Sequence, residues 1–537
     1  MVGAGFAGLY AHHRLRQLGL TLQGYEAAGN VGGTWWWNRY PGARCDVESM
    51  DYCYSFSPEL EQEWIWSERY ATQPEILRYV DHVAARFDLR RDIRFETRVT
   101  AATWDEAAQR WRVTTDRGDQ VSAQFCIMAV GCLSAVKQPE VNGIDTFRGL
   151  TVHTGRWPHE GVDFTGLRVG VIGTGSSGVQ SIPLIAQQAA HVTVFQRTPN
   201  FTMPAKNAPL DPEAVKARKA QYREHRQAMR ESRAGVVVPM PEESALRVDD
   251  DARRSRFEAA WESGTLYGMV SAYNDLLVDR DANDTAAKFV RSRIRDIVDD
   301  PEVADRLSPR NHPFGTKRPC LDTDYYSTYN RDNVMLVDVR STPIVEITPT
   351  GIRTATDEYV LDAIVFATGF DAMTGPLLGP DITGAGGVAL GDKWAAGPRT
   401  YLGIMTAGFP NLFTITGPGS PSVLVNMLVA IEQHVDWVAD CIAYLRDRNL
   451  ASIDATVDAE DAWVDHVNTV ANRTLFPAAD SWYMGANVPG KPRVFMPYIG
   501  GLPHYTEVCD TVAANEYQGF TLTPSTPRKP ERSAPHT

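Results

Sequence analysis

The chain has 537 residues, 43% of them hydrophobic and 22% charged, too many for one hydrophobic core and with no apolar run of about 18 residues, which excludes a membrane-spanning helix and a disordered composition. Its net charge of −13 excludes a general nucleic-acid or anionic-membrane binder and leaves small molecules as partners. Seven cysteines form no CxxC pair and no metal spacing, and no signal peptide precedes the first motif, so free thiols in the cytoplasm are expected, with no disulfide reductase and no metal site.

In chain order, the opening "MVGAGFAGLY" places Gly3, Gly5 and Gly8 in a G-x-G-x-x-G pattern. A helical stretch from Ala7 to Leu18 follows, then a short strand, "LTLQGYE", ending in Glu26 at the offset of a carboxylate that holds a ribose diol. Only Met1 and Val2 precede the loop, although the fingerprint needs a strand feeding it; a lost N-terminal segment is expected, or else a very short strand. "VGGTWWWNRYPGARCD" comes next, and "FRGLTVHTGRWP", with its single His153, lies ahead of a second loop. That loop is complete. "LRVGVIGTGSSGVQ" supplies a strand, Gly173, Gly175, Gly178 and a helix start suited to a pyrophosphate. The following strand, "HVTVFQR", puts Gln196 where the first repeat has Glu26, with Arg197 and Thr198 beyond it. A carboxylate repels a 2′-phosphate whereas an amide followed by an arginine accepts one, so the first site reads as FAD and the second as NADP.

The expected architecture is α/β, with two Rossmann-like dinucleotide-binding domains. Residues 1–133 and 369–520 form the FAD domain, 134–206 and 313–368 the NADP domain, and 207–312 a helical insertion. Within the insertion, "DPEAVKARKAQYREHRQAMRESRAG" predicts a helix with Asp211 at its cap, Pro212 first and Gly235 beyond its end, its charges on a solvated face. "NLFTITGPGSPSVL" predicts a strand giving way, past Gly417 and Gly419, to a helix from about Ser422. Residues 521–537, rich in Pro, Ser and Thr, are expected to be disordered.

Two stretches carry a specific likeness. Gly32, Gly33, Trp35, Tyr40, Pro41, Gly42 and Asp46 match one signature, and Phe147, Gly149, His153, Trp157 and Pro158 a second; together they resemble those of the Baeyer–Villiger monooxygenases. The likeness continues through "FQRTPNF", "HPFGTKRP", "VFATGFD", "ITGPGSPS" and "SWYMGANVPGKPR". It implies an FAD- and NADPH-dependent enzyme that inserts one atom of O₂ beside a ketone carbonyl, through a flavin C4a-peroxide, giving an ester or lactone. Nitrogen- or sulfur-oxygenating flavin monooxygenases are the alternative, disfavoured by Trp157, where they carry Tyr or Phe. By the same resemblance, Gly33, Thr34, Trp35 and Asp46 belong to the flavin site, and Arg318 to the flavin and nicotinamide, with Asp46 positioning it. Lys317 and Arg197 would hold the NADP phosphate, and Trp482 would contact the nicotinamide ribose. His153 and Trp157 would act as a hinge between the domains rather than as proton carriers. The residues alone leave plainer readings open. Lys317 and Arg318 would be a surface basic pair, Trp482 a core indole, and Val423, Leu424 and Met427 either ketone pocket or ordinary core.

Overall fold

A computed structural model describes residues 1–137 and 139–525. Two parallel sheets, each built around a glycine loop, organise it. The second is the more regular: Arg168–Ile172 lies in the middle, flanked on one side by His191–Gln196 and then Val334–Asp338, and on the other by Ala363–Phe366 and Leu150–His153, every pair parallel. Its inner strands are Val- and Ile-rich and buried on both faces, as a covered parallel sheet requires.

In the first sheet the position ahead of the glycine loop is filled by a single residue. Val2 alone makes parallel bridges to Tyr25 on one side and Met128 on the other. Gly24–Tyr25 pairs onward with Ile93–Arg94, and Cys126–Met128 with Leu412–Thr414, all parallel. A one-residue stub thus occupies the central position.

Both loops need glycine for the same physical reason. Gly3 has φ +102°, and a Cβ there would lie 2.4 Å from the Ala129 carbonyl; Gly173 has φ +110°, with a Cβ 2.5 Å from the Ala367 carbonyl. No other residue tolerates that backbone and that approach together. Helices Phe6–Gln17 and Ser176–Gln188 then begin at Gly5 and Gly175, neither start carrying a side-chain cap.

The insertion departs from expectation in two ways. Its predicted helix is two, Pro212–Ala220 and Tyr222–Glu231, broken at Gln221. Nor is the second wholly a solvated face. Arg226 is 4% exposed and donates to Glu61 (2.7 Å) and to the Met50 carbonyl (3.1 Å), which pins the insertion to the first part of the chain. The helix expected from Ser422 is a short 3₁₀ turn, Ser422–Leu424, and the α-helix starts at Met427, capped by Asn426.

The tail also needs correcting. Residues 521–524 are not disordered: Phe520–Pro524 forms a strand antiparallel to Leu450–Ala455, because alternate threonines leave Phe520 and Leu522 free to pack on the core. The rest of that stretch, from 526, lies outside the described residues.

Candidate active site

The two sheets meet along the "YPGAR" stretch. Gly42 (φ +81°) lies so close to helix Ser176–Gln188 that a Cβ would stand 2.3 Å from the Gln180 carbonyl. The Gln180 side chain accepts from the Tyr40 hydroxyl (2.8 Å) and donates to the Arg44 carbonyl (3.1 Å). Asp46 follows directly and reaches across the junction.

There it meets Arg318. The guanidinium donates through Nε and Nη2 to the two oxygens of Asp46, at 2.9 and 3.0 Å, and through Nη1 to the Val423 carbonyl at 2.8 Å. This planar fork is the strong form of an ion pair. Burial raises the phenol pKa values of Tyr267 and Tyr483, and the Arg318 charge pulls against that rise. Asp46 and the phenol oxygens outweigh the cost of burial, so Arg318 stays protonated at every accessible pH. The side chains remain about one-fifth to one-quarter exposed (21% and 24%), so the charge is presented rather than sealed.

The remaining motif residues surround this pair at different distances. Gly33 begins the helix Thr34–Trp37 and packs its Cα against the first loop at Gly5; Thr34 is exposed, while Trp35 is buried and donates to the Tyr52 hydroxyl (3.2 Å). Glu26 is buried, and its two oxygens accept from the backbone of Ala4 (2.7 Å) and Ala28 (2.8 Å), locking the loop; burial raises its pKa. Lys317 and Arg197 lie together and are joined by Arg340, a residue for which the sequence offers no motif. Burial first, and then Arg197 and Arg340, lower the Lys317 pKa, while Asp480 pulls it the other way. Thr198 contributes its carbonyl to the Thr174 hydroxyl (3.1 Å). Gln196 does not face this basic cluster: it is 2% exposed and donates to the Arg306 carbonyl (2.8 Å).

His153 ends the edge strand of the second sheet, in register with Phe366. Its Nδ1 accepts from the Gly155 N–H (2.9 Å) and its Nε2 contacts the Thr368 hydroxyl (3.1 Å). The two segments that cross between the sheets, 132–137 and 369–373, run antiparallel here, tied by Asp371 N–H to Ala135 O and Met373 N–H to Cys132 O, both 2.8 Å. Burial, with Arg156 nearby, lowers the His153 pKa to about 4. Trp157 is buried beside Phe164 in the second core. Val423, Leu424, Met427 and Trp482 share an apolar cluster with Tyr483 and Phe495.

Residues 1–251 match the family profile described as pyridine nucleotide-disulphide oxidoreductase. All seven cysteines are free and buried, so the shared feature is the nucleotide fold. A Baeyer–Villiger monooxygenase of Pseudooceanicola batsensis is 44% identical over 97% of this chain and 95% of its own length. The chain belongs to the Baeyer–Villiger monooxygenases. Among solved structures, an oxidised steroid monooxygenase bound to NADP is 56% identical with a TM-score of 0.93, covering 97% of this chain and 98% of its own. OTEMO in complex with FAD and NADP is 42% identical, with a TM-score of 0.94 and the same coverage. This Baeyer–Villiger monooxygenase is thus an FAD- and NADPH-dependent flavoprotein. Its own residues fit both cofactors: two uncapped helix N-termini offer N–H groups to pyrophosphates, and a Cβ at Gly175 would meet no protein atom within 4 Å, leaving open space at the second loop.

Proposed function

We propose that Arg318 is the fixed cation of an oxygen insertion beside a ketone carbonyl, with Asp46 as its positioning partner. The observation that carries this is the bidentate pair joining two motifs 272 residues apart at the junction of the two sheets. When bound, FAD takes a hydride from NADPH and activates O₂. The protein must then stabilise negative charge as it develops on the attacked carbonyl oxygen, with a group that does not give up its proton to the nucleophile. Of the five N–H groups a guanidinium carries, Asp46 and Val423 occupy three, so the pair does not exhaust its donors. Val423, Leu424 and Met427 would line the ketone pocket, and Trp482 would lie against the nicotinamide ribose.

The remaining assignments follow from position. The first sheet, with residues 1–133 and 369–520, holds FAD, Glu26 toward its ribose; the second, with 134–206 and 313–368, holds NADPH, its 2′-phosphate among Arg197, Thr198, Lys317 and Arg340. His153 lies beside the double crossing, where movement of one domain against the other must pass, with Trp157 anchoring the same stretch in the second core. The free, buried thiols support a cytoplasmic location. A panel of small, cyclic, aryl and steroid ketones, with an amine and a thioether beside them, tests the assignment when each is turned over with NADPH and the products are identified by mass. Esters or lactones are expected. An N-oxide or sulfoxide with no ester from any ketone would overturn it.

A further inference from the structure

Besides Asp46, Arg318 is held by backbone, at the Val423 carbonyl, and a carbonyl points where the bend of its chain aims it. In the turn Ser422–Leu424 the Pro421 and Ser422 carbonyls accept from the N–H groups of Leu424 (3.0 Å) and Val425 (3.2 Å). The Val423 carbonyl, next in line, turns instead to the Nη1 of Arg318 (2.8 Å). Its direction depends on Ser422, which has φ +42° without being glycine. A side chain is disfavoured in that left-handed region, and such a backbone persists only where its surroundings hold it there.

The surroundings of Ser422 do so. It is fully buried, and its hydroxyl donates to the Thr416 carbonyl (3.0 Å). Thr416 is left-handed too, at φ +53°, a rarer conformation still for a β-branched residue. Its N–H donates to His434 Nδ1 (3.1 Å); His434 Nε2 meets the Tyr505 hydroxyl (2.8 Å), which donates to the Leu402 carbonyl (2.5 Å). Since Nδ1 accepts, Nε2 carries the ring proton and donates to the Tyr505 oxygen. All four residues are buried. The loop between the two strained positions is fixed at Ser420, whose hydroxyl donates to the Gly417 carbonyl (2.7 Å) and whose carbonyl accepts from the Tyr498 N–H (2.7 Å). An unbroken hydrogen-bonded line therefore runs from the core at Leu402 to the Ser422 hydroxyl, and one residue further on stands the carbonyl that Arg318 uses.

We propose that Ser422 is a positioning residue for Arg318: its bond to Thr416 holds the left-handed backbone that turns the Val423 carbonyl onto Nη1. The inference rests on the role assigned to Arg318 above. Without that carbonyl the guanidinium keeps its charge and its fork onto Asp46 but loses the contact that fixes its other edge. The effect belongs in the partition between ester and released peroxide, since oxidant that is not captured by a well-placed carbonyl is lost.

Two substitutions separate aiming from packing. Ser422→Ala removes the bond to Thr416 and keeps the Cβ that disfavours φ +42°, so the turn relaxes. Ser422→Gly removes the same bond and a further atom, yet accepts the left-handed backbone freely, so the turn stays. Ester and peroxide per NADPH consumed, with kcat and KM for a ketone that the wild type converts, are measured for each FAD-loaded protein below its thermal midpoint. Ser422→Ala is expected to lower kcat for ester by about tenfold, the scale of one hydrogen bond to a charged group, and to raise the peroxide share; Ser422→Gly should retain a higher kcat than Ser422→Ala. An unchanged partition in folded Ser422→Ala, a kcat for Ser422→Gly equal to or below that of Ser422→Ala, or a defect confined to ketone KM overturns the inference. If Ser422→Ala does not fold, Ser422→Gly decides the matter: a raised peroxide share with a lowered kcat supports the inference, and an unchanged partition overturns it. A wild type that makes no ester from any ketone overturns the underlying reading instead.

Discussion

Arg318 is the residue on which most depends. Replacing it by alanine should leave FAD bound and abolish ester formation, since loss of one such donor typically costs about 2.7–4 kcal/mol, and Arg318→Lys should fail as well, because an ammonium cannot reproduce the fork onto Asp46. Product analysis of the two FAD-loaded variants checks this. In the basic cluster, Lys317→Ala or Arg340→Ala should raise KM for NADPH far more than for NADH, and initial rates with each coenzyme measure it. Burial and, after it, repulsion from Arg197 depress the Lys317 pKa, and a phosphate would relieve the repulsion. His153, neutral above its pKa of about 4, imposes no ionisation between pH 6 and 9. His153→Gln should keep measurable activity, whereas His153→Ala should slow stopped-flow flavin reduction and release more peroxide, with the shape of both pH profiles retained. At this scale the sequence was readable where a motif stood and silent elsewhere. Positions 46 and 318 could be joined only through the resemblance, because nothing in their spacing brings them together. Arg340 carries no local signal, since an arginine after a strand is ordinary. Gln196 was legible as a position but not as an orientation, its amide nitrogen being turned to the Arg306 carbonyl.

Among elements, the glycine loops were legible because steric necessity writes them into the sequence: the close approach to Ala129 and Ala367 admits no Cβ. The central strand of the first sheet was not, since a strand of one residue has no periodicity, and only the bridges from Val2 reveal it. The break at Gln221 and the burial of Arg226 escaped for a related reason. A charged helix reads as solvated until a partner such as Glu61 is brought against it from more than a hundred residues away. The C-terminal segment behaves likewise. Its "GANVPGK" stretch is clasped to the double crossing: Asn487 donates to the Phe370 carbonyl (2.7 Å), Lys137 to the Asn487 carbonyl, and Lys491 to Asp371 (2.5 Å) and the Ala372 carbonyl (2.7 Å). Lys491→Met keeps most of the stem and removes the charge. It should leave the sheets intact while increasing the rate of limited proteolysis between residues 485 and 494, an outcome read directly by mass spectrometry of the fragments.

For the whole molecule, buried histidines set the acid limit. His12, His153 and His434 have pKa values lowered to about 4 and His312 to about 3, in each case chiefly by burial. An unfolded histidine titrates near about 6.5, so between that pH and about 4 the unfolded chain binds more protons, and stability falls as pH falls. Asp322 and Asp454, raised to about 6 by burial, work in the opposite sense over the same window, since the folded state holds their protons more tightly. Among the groups moved this far, four histidines oppose two carboxylates, and the thermal midpoint should drop from pH 6.5 toward 4; a midpoint that rises over that range would show that the carboxylates, with Glu26, Glu61 and Glu432 also raised by burial, dominate. In the proposed mechanism two docked nucleotide folds bring one arginine, held by Asp46, to the ketone that takes up oxygen. Incubating wild type and Arg318→Ala with NADPH, isotopically heavy O₂ and a ketone that the wild type consumes, and weighing the product, tests it. The wild type should yield an ester carrying one heavy oxygen atom, and the variant should retain FAD and yield none; heavy ester from the variant at a near wild-type rate, or NADPH consumption by the wild type with no ester from any ketone, would contradict the account.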